Sequence, residues 1–277
     1  MRLDKFLAQM GAGTRKEVKK MIRDGLVTVG GERVSDPGMK INESDEVCLS
    51  GRPLHYEQYV YYMLNKPAGV VSATEDPRER TVIDLLTEGQ PQGLLRTDLF
   101  PVGRLDKDTE GLLIITNDGA LAHRLLSPKK HVDKVYFAIL DGPVGAREQE
   151  MFAAGLSVDE TLTAQPARLE IAGEEDAGMP LAGLKASGEE DAGTPPANTE
   201  TSHEKRPLKG SGRSGTHVYV TIHEGKFHQV KRMFAAVGRE VLYLKRLSMG
   251  PLALDEKLTP GQWRRLTEQE VTDLLGH

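Results

Sequence analysis

From residue 59 onward, short apolar runs rich in Val, Ile, Leu and Tyr follow one another with few helical segments between them. A doubly wound parallel sheet needs a helix after nearly every strand, so this spacing favours an α+β fold instead. The predicted strands cover residues 59–64, 112–116, 132–140, 217–222 and 241–246. The predicted helices cover residues 81–86, 120–126, 146–154, 227–237 and 268–275.

The first 50 residues have a different organisation. A helix begins at Arg2, a glycine-rich turn follows at residues 11–13, and Thr14 is a suitable N-cap for a second helix over residues 15–24. Residues 26–29 read as a strand that turns at Gly30-Gly31 into residues 32–34, and a last short strand covers residues 46–49. We therefore predict a small domain at residues 1–50, a linker at 51–58 and a larger domain at 59–277.

An acidic segment interrupts the larger domain at about residues 172–216. It lacks periodicity and consists mostly of Gly, Ala, Pro, Glu, Asp, Ser and Thr, which predicts a disordered insertion. Residues 173–200 contribute −6 to a formal net charge of −5, so the remainder of the chain carries about +1. The negative total therefore does not argue against an RNA-binding protein.

Basic residues concentrate in two places. Seven Lys or Arg residues lie within residues 2–23, and six lie within residues 226–246. Such clusters are consistent with phosphate contacts, and equally with an ordinary solvated surface.

A polar loop at residues 103–111 leads directly into the predicted strand 112–116. Charged groups such as Arg104 and Asp106 at the mouth of a buried strand suit an active site. From spacing alone, a surface turn with these two residues in ordinary salt bridges is the favoured interpretation.

Several motifs resemble those of a known enzyme family. The string GRLDKDTEGLL at residues 103–113, followed by TNDG at 116–119, resembles the catalytic motif of RsuA-type and RluA-type pseudouridine synthases. NKPAG at 65–69 and KVY at 134–136 resemble further motifs of that family. The segment EGKFHQVKRMFAAVG at 224–238 resembles the branch that modifies small-subunit ribosomal RNA. RLDKFL at 2–7 and GLVTVGG at 25–31 resemble the S4 RNA-binding module.

The resemblance implies a catalytic domain built on a mixed, mainly antiparallel sheet, and isomerisation of a uridine to pseudouridine. It makes Asp106 the catalytic nucleophile and Lys231 its basic partner, with Arg104 holding RNA or the flipped nucleotide and Tyr136 packing on the uracil. The implied substrate is 16S ribosomal RNA or a partly assembled small subunit, bound by a monomer. The expected RNA-binding residues are Arg2, Lys5, Arg15, Lys16, Lys19 and Arg232.

Two alternatives stay open at this point. The chain is also compatible with a non-catalytic RNA-binding factor of ribosome assembly, or with a synthase that acts on 23S ribosomal RNA. Motif retention alone does not distinguish these from a 16S-specific enzyme.

No cofactor or metal is expected. The isomerisation needs no redox centre, and the GSGRSG string at 210–215 precedes a strand rather than a helix, unlike a dinucleotide-binding loop. His217, His223 and His228 lie close in sequence, but no cysteine or carboxylate cluster completes a tetrahedral set.

Cellular location is predicted from the same sequence. The single cysteine, Cys48, and the lack of a signal-like N-terminus favour the cytoplasm. Apolar runs far shorter than a bilayer requires argue against a membrane role.

Overall fold

The computed structural model describes residues 1–42, 44–54, 57–88, 96–172 and 215–276. The predicted acidic insertion lies outside these residues except at its ends. The two strands that flank the insertion pair with each other, residues 168–171 of the first with residues 218–221 of the second.

The N-terminal unit begins with helices α1 (Leu3–Gln9) and α2 (Arg15–Arg23). Thr14 caps α2 because its hydroxyl accepts from the Glu17 amide while the Glu17 carboxylate accepts from the Thr14 amide. Strands β1 (Val27–Val29), β2 (Glu32–Arg33), β3 (Val47–Leu49) and β4 (Arg52–Leu54) form an antiparallel sheet in the order β2-β1-β3-β4. Leu3, Phe6, Val18, Ile22 and Val47 are among its buried core residues.

Strand β4 lies where the sequence predicted a linker. A turn at Ser50-Gly51, with both residues at positive φ, returns the chain so that β4 pairs with β3. The small sheet therefore extends to Leu54, four residues past the predicted domain boundary.

The larger domain is α+β, as predicted, and nine strands of the described residues form its main sheet. These are β5 (Tyr61–Lys66), β6 (Phe100–Pro101), β7 (Glu110–Thr116), β8 (Lys134–Leu140), β11 (Arg168–Ile171), β12 (Thr216–Ile222), β13 (Val241–Met249), β14 (Leu252–Ala253) and β15 (Trp263–Arg265). The order is β11-β12-β8-β13-β7-β5-β15, with β6 beside β7 and β14 beside β13. Every pairing is antiparallel except that of β13 with β7, which confirms a mixed, mainly antiparallel sheet.

Helices cover both faces of this sheet. They are α3 (Val82–Glu88), α4 (Gly119–Leu126), α5 (Ala146–Ala154), α6 (Gln229–Ala236) and α7 (Glu268–Gly276). One core cluster joins Leu113 of β7 to residues of α3, α5 and α6, and a second joins Leu112 to α4 and α7. Alternate side chains of β7 thus enter opposite cores, which explains its uninterrupted apolar sequence.

The predicted strands and helices of this domain are present, with ends shifted by one or two residues in most cases. A separate hairpin was not predicted: β9 (Leu156–Asp159) pairs with β10 (Leu162–Ala164). No helix in the described part of the chain has the length and apolar composition needed to cross a bilayer.

Candidate active site

Asp106 lies in the loop of residues 102–109 that connects β6 to β7. Its carboxylate is one-quarter exposed, so solvent and a substrate can reach it. The neighbouring Leu105 is fixed from both sides, because the Ser72 hydroxyl donates to the Leu105 carbonyl (2.9 Å) and accepts from its amide (3.1 Å). The loop is therefore held firmly while the Asp106 side chain stays accessible.

Lys66, at the end of β5, holds the same loop from beneath. Its side chain is fully buried. The ammonium donates to the carbonyl oxygens of Thr109 (2.8 Å), Asp106 (3.0 Å), Pro67 (3.0 Å) and Lys107 (3.3 Å). Burial lowers the pKa of Lys66 to about 8, although nearby carboxylates, that of Asp108 first, act in the opposite direction.

This role of Lys66 was not predicted from the sequence. The NKPAG motif pointed to the residue, but nothing local shows that carbonyls some 40 residues away converge on its ammonium.

Gly111 sets the distance between the loop and the neighbouring strand. It has φ +100°, and a Cβ at this position would lie 2.1 Å from the Arg246 carbonyl oxygen of β13. No other residue fits there without moving one of the two strands. The buried Arg246 also donates from Nε to the Leu112 carbonyl (2.8 Å).

Helix α6 and the residue before it supply the two nitrogen-bearing side chains that face Asp106. Lys231 Nζ lies 3.3 Å from Asp106 Oδ2, and His228 Nε2 lies 3.4 Å from Asp106 Oδ1. The expected contact between Asp106 and Lys231 is therefore present. His228 was weighed from sequence only as a metal ligand, so its contact with Asp106 is new information.

Asp108 competes with Asp106 for the same ammonium. Its Oδ1 accepts from Lys231 Nζ at 2.6 Å, which is shorter than either contact to Asp106. Partial desolvation acts to raise the pKa of Asp108, but the hydrogen bond and charge of Lys231 outweigh it and lower that pKa. Lys231 thus bridges two carboxylates.

A buried carboxylate shapes the loop that precedes α6. Glu224 accepts from the Gln229 side chain (2.7 Å), the Gln165 amide (2.9 Å) and Lys226 Nζ (3.0 Å). These bonds fix the turn that places His228 and Lys231 opposite Asp106.

The two other expected substrate-binding residues lie in different environments. Tyr136, on β8, is buried in the core cluster that also contains Leu105. Arg104 is exposed, and it has no hydrogen-bond or ion-pair partner within the ranges that the structure describes.

The expected RNA-binding residues fall into two groups. Lys5, Arg15, Lys16 and Lys19 are exposed on α1 and α2. Arg2 is also exposed, but its guanidinium pairs with the Asp4 carboxylate at 2.9 and 3.0 Å.

Arg232 is engaged within the protein. It donates to Asp159 from Nε (3.0 Å) and Nη2 (2.6 Å) and to the Thr161 hydroxyl (2.6 Å). The hydrogen bond from Arg232 holds the pKa of Asp159 well below its usual range. Arg232 therefore joins α6 to the β9–β10 hairpin rather than presenting a free guanidinium.

The three histidines that were weighed as metal ligands are separately engaged. His223 Nδ1 lies 2.6 Å from Asp133 Oδ1, His217 packs against the Phe137 ring, and His228 faces Asp106. No group of three or more His, Cys, Asp or Glu side chains arranged to hold a metal occurs among the described residues.

Comparisons with known proteins identify the family of the chain. The family described as RNA pseudouridylate synthase matches residues 60–236, and the S4 domain family matches residues 1–47. The chain is 42% identical over 272 residues to an uncharacterized RNA pseudouridine synthase of Bacillus subtilis, covering 98% of this chain and 97% of that protein. It is 36% identical over 277 residues to the ribosomal small subunit pseudouridine synthase A of Escherichia coli, covering 99% and 100%.

A solved structure is also similar. A crystal structure of a pseudouridylate synthase superimposes with a TM-score of 0.57 at 33% identity, covering 99% of both chains.

Proposed function

The chain belongs to the RNA pseudouridylate synthase family, and on that premise we propose that it isomerises one uridine of 16S ribosomal RNA to pseudouridine, with Asp106 as the nucleophile. The observation that carries this proposal is the accessible Asp106 carboxylate between the Lys231 ammonium and the His228 imidazole, on a loop held by Lys66. The 16S target is supported by relatives that are named for the small ribosomal subunit and align over their full length.

The reaction matches the groups present. The C1′–N1 bond breaks, the base turns, a C1′–C5 bond forms, the C5 hydrogen leaves as a proton and N1 gains one. No electrons are exchanged with a second reactant, so a carboxylate nucleophile meets the chemical need without a redox cofactor. The Lys231 ammonium, 3.3 Å from Asp106 Oδ2, supplies positive charge beside the carboxylate and holds it in place.

The target uridine must leave its stack to reach Asp106. Such flipping costs on the order of a few kcal/mol. Phosphate contacts from Arg104 offset part of this cost, since its guanidinium is exposed and unpaired among the described residues. Packing of the uracil on Tyr136 requires the buried ring to become accessible when the nucleotide binds. Lys231 orients Asp106 against the bound nucleotide.

The N-terminal unit docks the RNA through exposed cations of α1 and α2. Lys5, Arg15, Lys16 and Lys19 contact phosphates, whereas the pairing of Arg2 with Asp4 and of Arg232 with Asp159 reduces what these two residues contribute. The protein acts as a monomer on free 16S RNA or on a partly assembled small subunit. It does so in the cytoplasm, where ribosomal subunits are assembled.

Tritium release from C5-labelled uridine tests the reaction. The native protein and Asp106→Asn are compared on 16S RNA, on partly assembled small-subunit particles and on 23S RNA. We expect release by the native protein from one of the two small-subunit substrates, and none by Asp106→Asn, which keeps the side-chain shape.

The other outcomes assign the alternatives. Release from 23S RNA alone would overturn the proposed target. Tight binding to small-subunit RNA with no release from any substrate would indicate a non-catalytic assembly factor.

A further inference from the structure

Phe227 is the most exposed of the large apolar side chains in the described residues. Its side chain is 67% exposed, whereas Ile171 and Leu275 reach 46% and the other exposed apolar residues less. A single exposed apolar residue needs no explanation. The surroundings of Phe227, however, are specific.

The Phe227 ring is stacked on a second ring. Its centroid lies 3.8 Å from that of His228, with an angle of 18° between the planes. His228 has φ +47°, a left-handed conformation that non-glycine residues rarely adopt. A strained backbone of this kind persists only where the surrounding structure enforces it.

The backbone of this pair is braced on both sides. Lys226 Nζ donates to the Thr163 carbonyl at 2.8 Å, which joins the loop to β10. Arg232 Nη1 donates to the Phe227 carbonyl at 3.3 Å while the same guanidinium is paired with Asp159 of β9. The Phe227 ring remains largely exposed, on a support that is already ordered.

The stacked pair of rings lies beside the Asp106 carboxylate. His228 Nε2 is 3.4 Å from Asp106 Oδ1, and Phe227 is the next ring outward. A planar group on the outer face of Phe227 is therefore separated from Asp106 by two rings. This separation is too large for the base of the uridine that reacts, and it suits the base next to that uridine in the RNA strand.

We propose that Phe227, supported by His228, is a stacking platform for the nucleobase adjacent to the target uridine, which keeps the RNA in place while that uridine is turned toward Asp106. The inference rests on the proposed function. Lys226, Lys231 and Arg232 lie around the platform, each paired with a carboxylate of the protein, and this charged rim disfavours an apolar peptide as the occupant of the exposed ring. Every base has a π-face, so the platform tolerates any neighbouring sequence.

Three substitutions separate stacking from apolar burial. Phe227→Ala should lower kcat/KM on 16S RNA roughly tenfold, the effect expected from the loss of one stacked base. Phe227→Trp should stay within about twofold of the native protein because a larger ring stacks as well. Phe227→Leu should behave like Phe227→Ala. The control, Ile171→Ala, removes an exposed apolar side chain from the edge strand β11 and should change nothing.

A binding probe tests the contact without turnover. Single-stranded oligouridylate with a central 2-aminopurine is bound to full-length Asp106→Asn, and stacking quenches the 2-aminopurine fluorescence. We expect quenching by Asp106→Asn, and its loss in Asp106→Asn/Phe227→Ala. It should return with Trp at position 227.

The platform is overturned if Phe227→Leu retains native kcat/KM, or if the quench survives Phe227→Ala. An effect of Phe227→Ala that is seen only on assembling particles, and not on RNA, would indicate that Phe227 contacts a protein partner rather than a base. This outcome would also refute the platform. A Phe227-dependent quench without tritium release from any RNA would refute the proposed reaction and leave the platform standing. Tritium release that is insensitive to substitution of Phe227 would refute the platform and leave the proposed reaction standing.

Discussion

The basic residues of the N-terminal unit and those around Asp106 are chemically alike but differ in environment. Arg15, Lys16 and Lys19 extend from α2 into solvent. Lys66 is fully buried against four carbonyl oxygens, and Lys231 is bound between two carboxylates. The first group is free to meet a partner, while the second is committed to contacts within the protein.

The exposed cations are suited to attracting RNA, whereas the buried ones are suited to positioning atoms within the protein. Exposed cations act on RNA by neutralising phosphates, so their effects are individually small, roughly additive and sensitive to salt. Buried cations fix atoms in place, so losing one leaves unsatisfied partners and a misplaced loop. Substitutions in the two regions should differ in size and in the quantity that changes.

The largest effect is expected for Lys66→Met. Four carbonyls would lose a buried charged donor, which should lower the free energy of unfolding by about 3 kcal/mol or more. Tritium release should fall at least about 100-fold, because the loop that carries Asp106 is no longer held. Urea unfolding and single-turnover release measure the two quantities.

Lys107→Met is the matched control for this substitution. Lys107 lies in the same loop, but its side chain is 51% exposed and paired with Glu79 at 2.7 Å. Exposed pairs contribute at most about 1 kcal/mol, so stability and release should stay near native. Equal losses in both variants would show that burial of Lys66 has no special role.

Lys231 should affect turnover more than binding. Lys231→Ala removes a cation from the Asp106 carboxylate and should lower kcat by about 10- to 100-fold, an electrostatic effect of about 1.4 to 3 kcal/mol. Lys231→Arg keeps the charge and should recover most of the rate. RNA affinity, measured by fluorescence anisotropy, should change by less than about threefold.

Asp108→Asn sharpens this test. It removes the carboxylate whose Oδ1 lies 2.6 Å from Lys231 Nζ, so Asp106 becomes the remaining carboxylate partner of Lys231 among the described residues. We expect kcat to stay at or above the native value. A loss as large as that of Lys231→Ala would mean that the bridge to Asp108, rather than the contact with Asp106, determines activity.

Buried lysines also predict a pH dependence of stability. Burial, together with the charge of the nearby Arg246, lowers the pKa of Lys134, on β8, to about 8. The unfolded chain, with an ordinary lysine pKa of about 10.4, then binds the proton more strongly than the folded protein. The free energy of unfolding should therefore gain from this group as pH rises from about 8 to 10, by up to about 1.4 kcal/mol per pH unit.

Denaturant unfolding at pH 8 to 10 measures that slope. Lys134→Met should reduce it, while Lys19→Met, which replaces an exposed lysine of α2, should leave it at the native value. If both variants keep the native slope, Lys134 does not carry an unfavourable buried charge.

The sequence predicted most of the fold because long apolar strands are visible locally. Residues 112–116 and 217–222 were identified within two residues of β7 and β12. The β9–β10 hairpin was missed, since its short strands flank a turn at Glu160 and Thr161 and have no extended apolar run. Length and burial pattern together explain which strands sequence reasoning finds.

The site was predicted through motif resemblance, and its limits follow from that route. The motifs identified Asp106 and Lys231, which lie 3.3 Å apart in the structure. They gave no distances, so the bridge from Lys231 to Asp108 was not predicted. The expected RNA-binding role of Arg232 overlooked its partner Asp159, because that residue belongs to the hairpin that was missed.

The smallest effects are expected for single cations of α2. Lys16→Ala and Lys19→Ala should each weaken binding to 16S RNA a few-fold at low salt and leave kcat unchanged. The slope of log affinity against log salt should decrease in magnitude by about 0.7 to 0.9 for each cation that contacts a phosphate. Anisotropy titrations between 50 and 200 mM salt measure this slope.

Arg2→Ala is the matched comparison within the same unit. Its guanidinium already pairs with Asp4, so it has less charge to offer a phosphate, and the slope should change less than for Lys16 or Lys19. A fall in kcat for the α2 variants as large as that of Lys231→Ala would remove the distinction between attraction and positioning. Additive losses in affinity with constant kcat would instead establish that the N-terminal unit binds RNA without setting the geometry at Asp106.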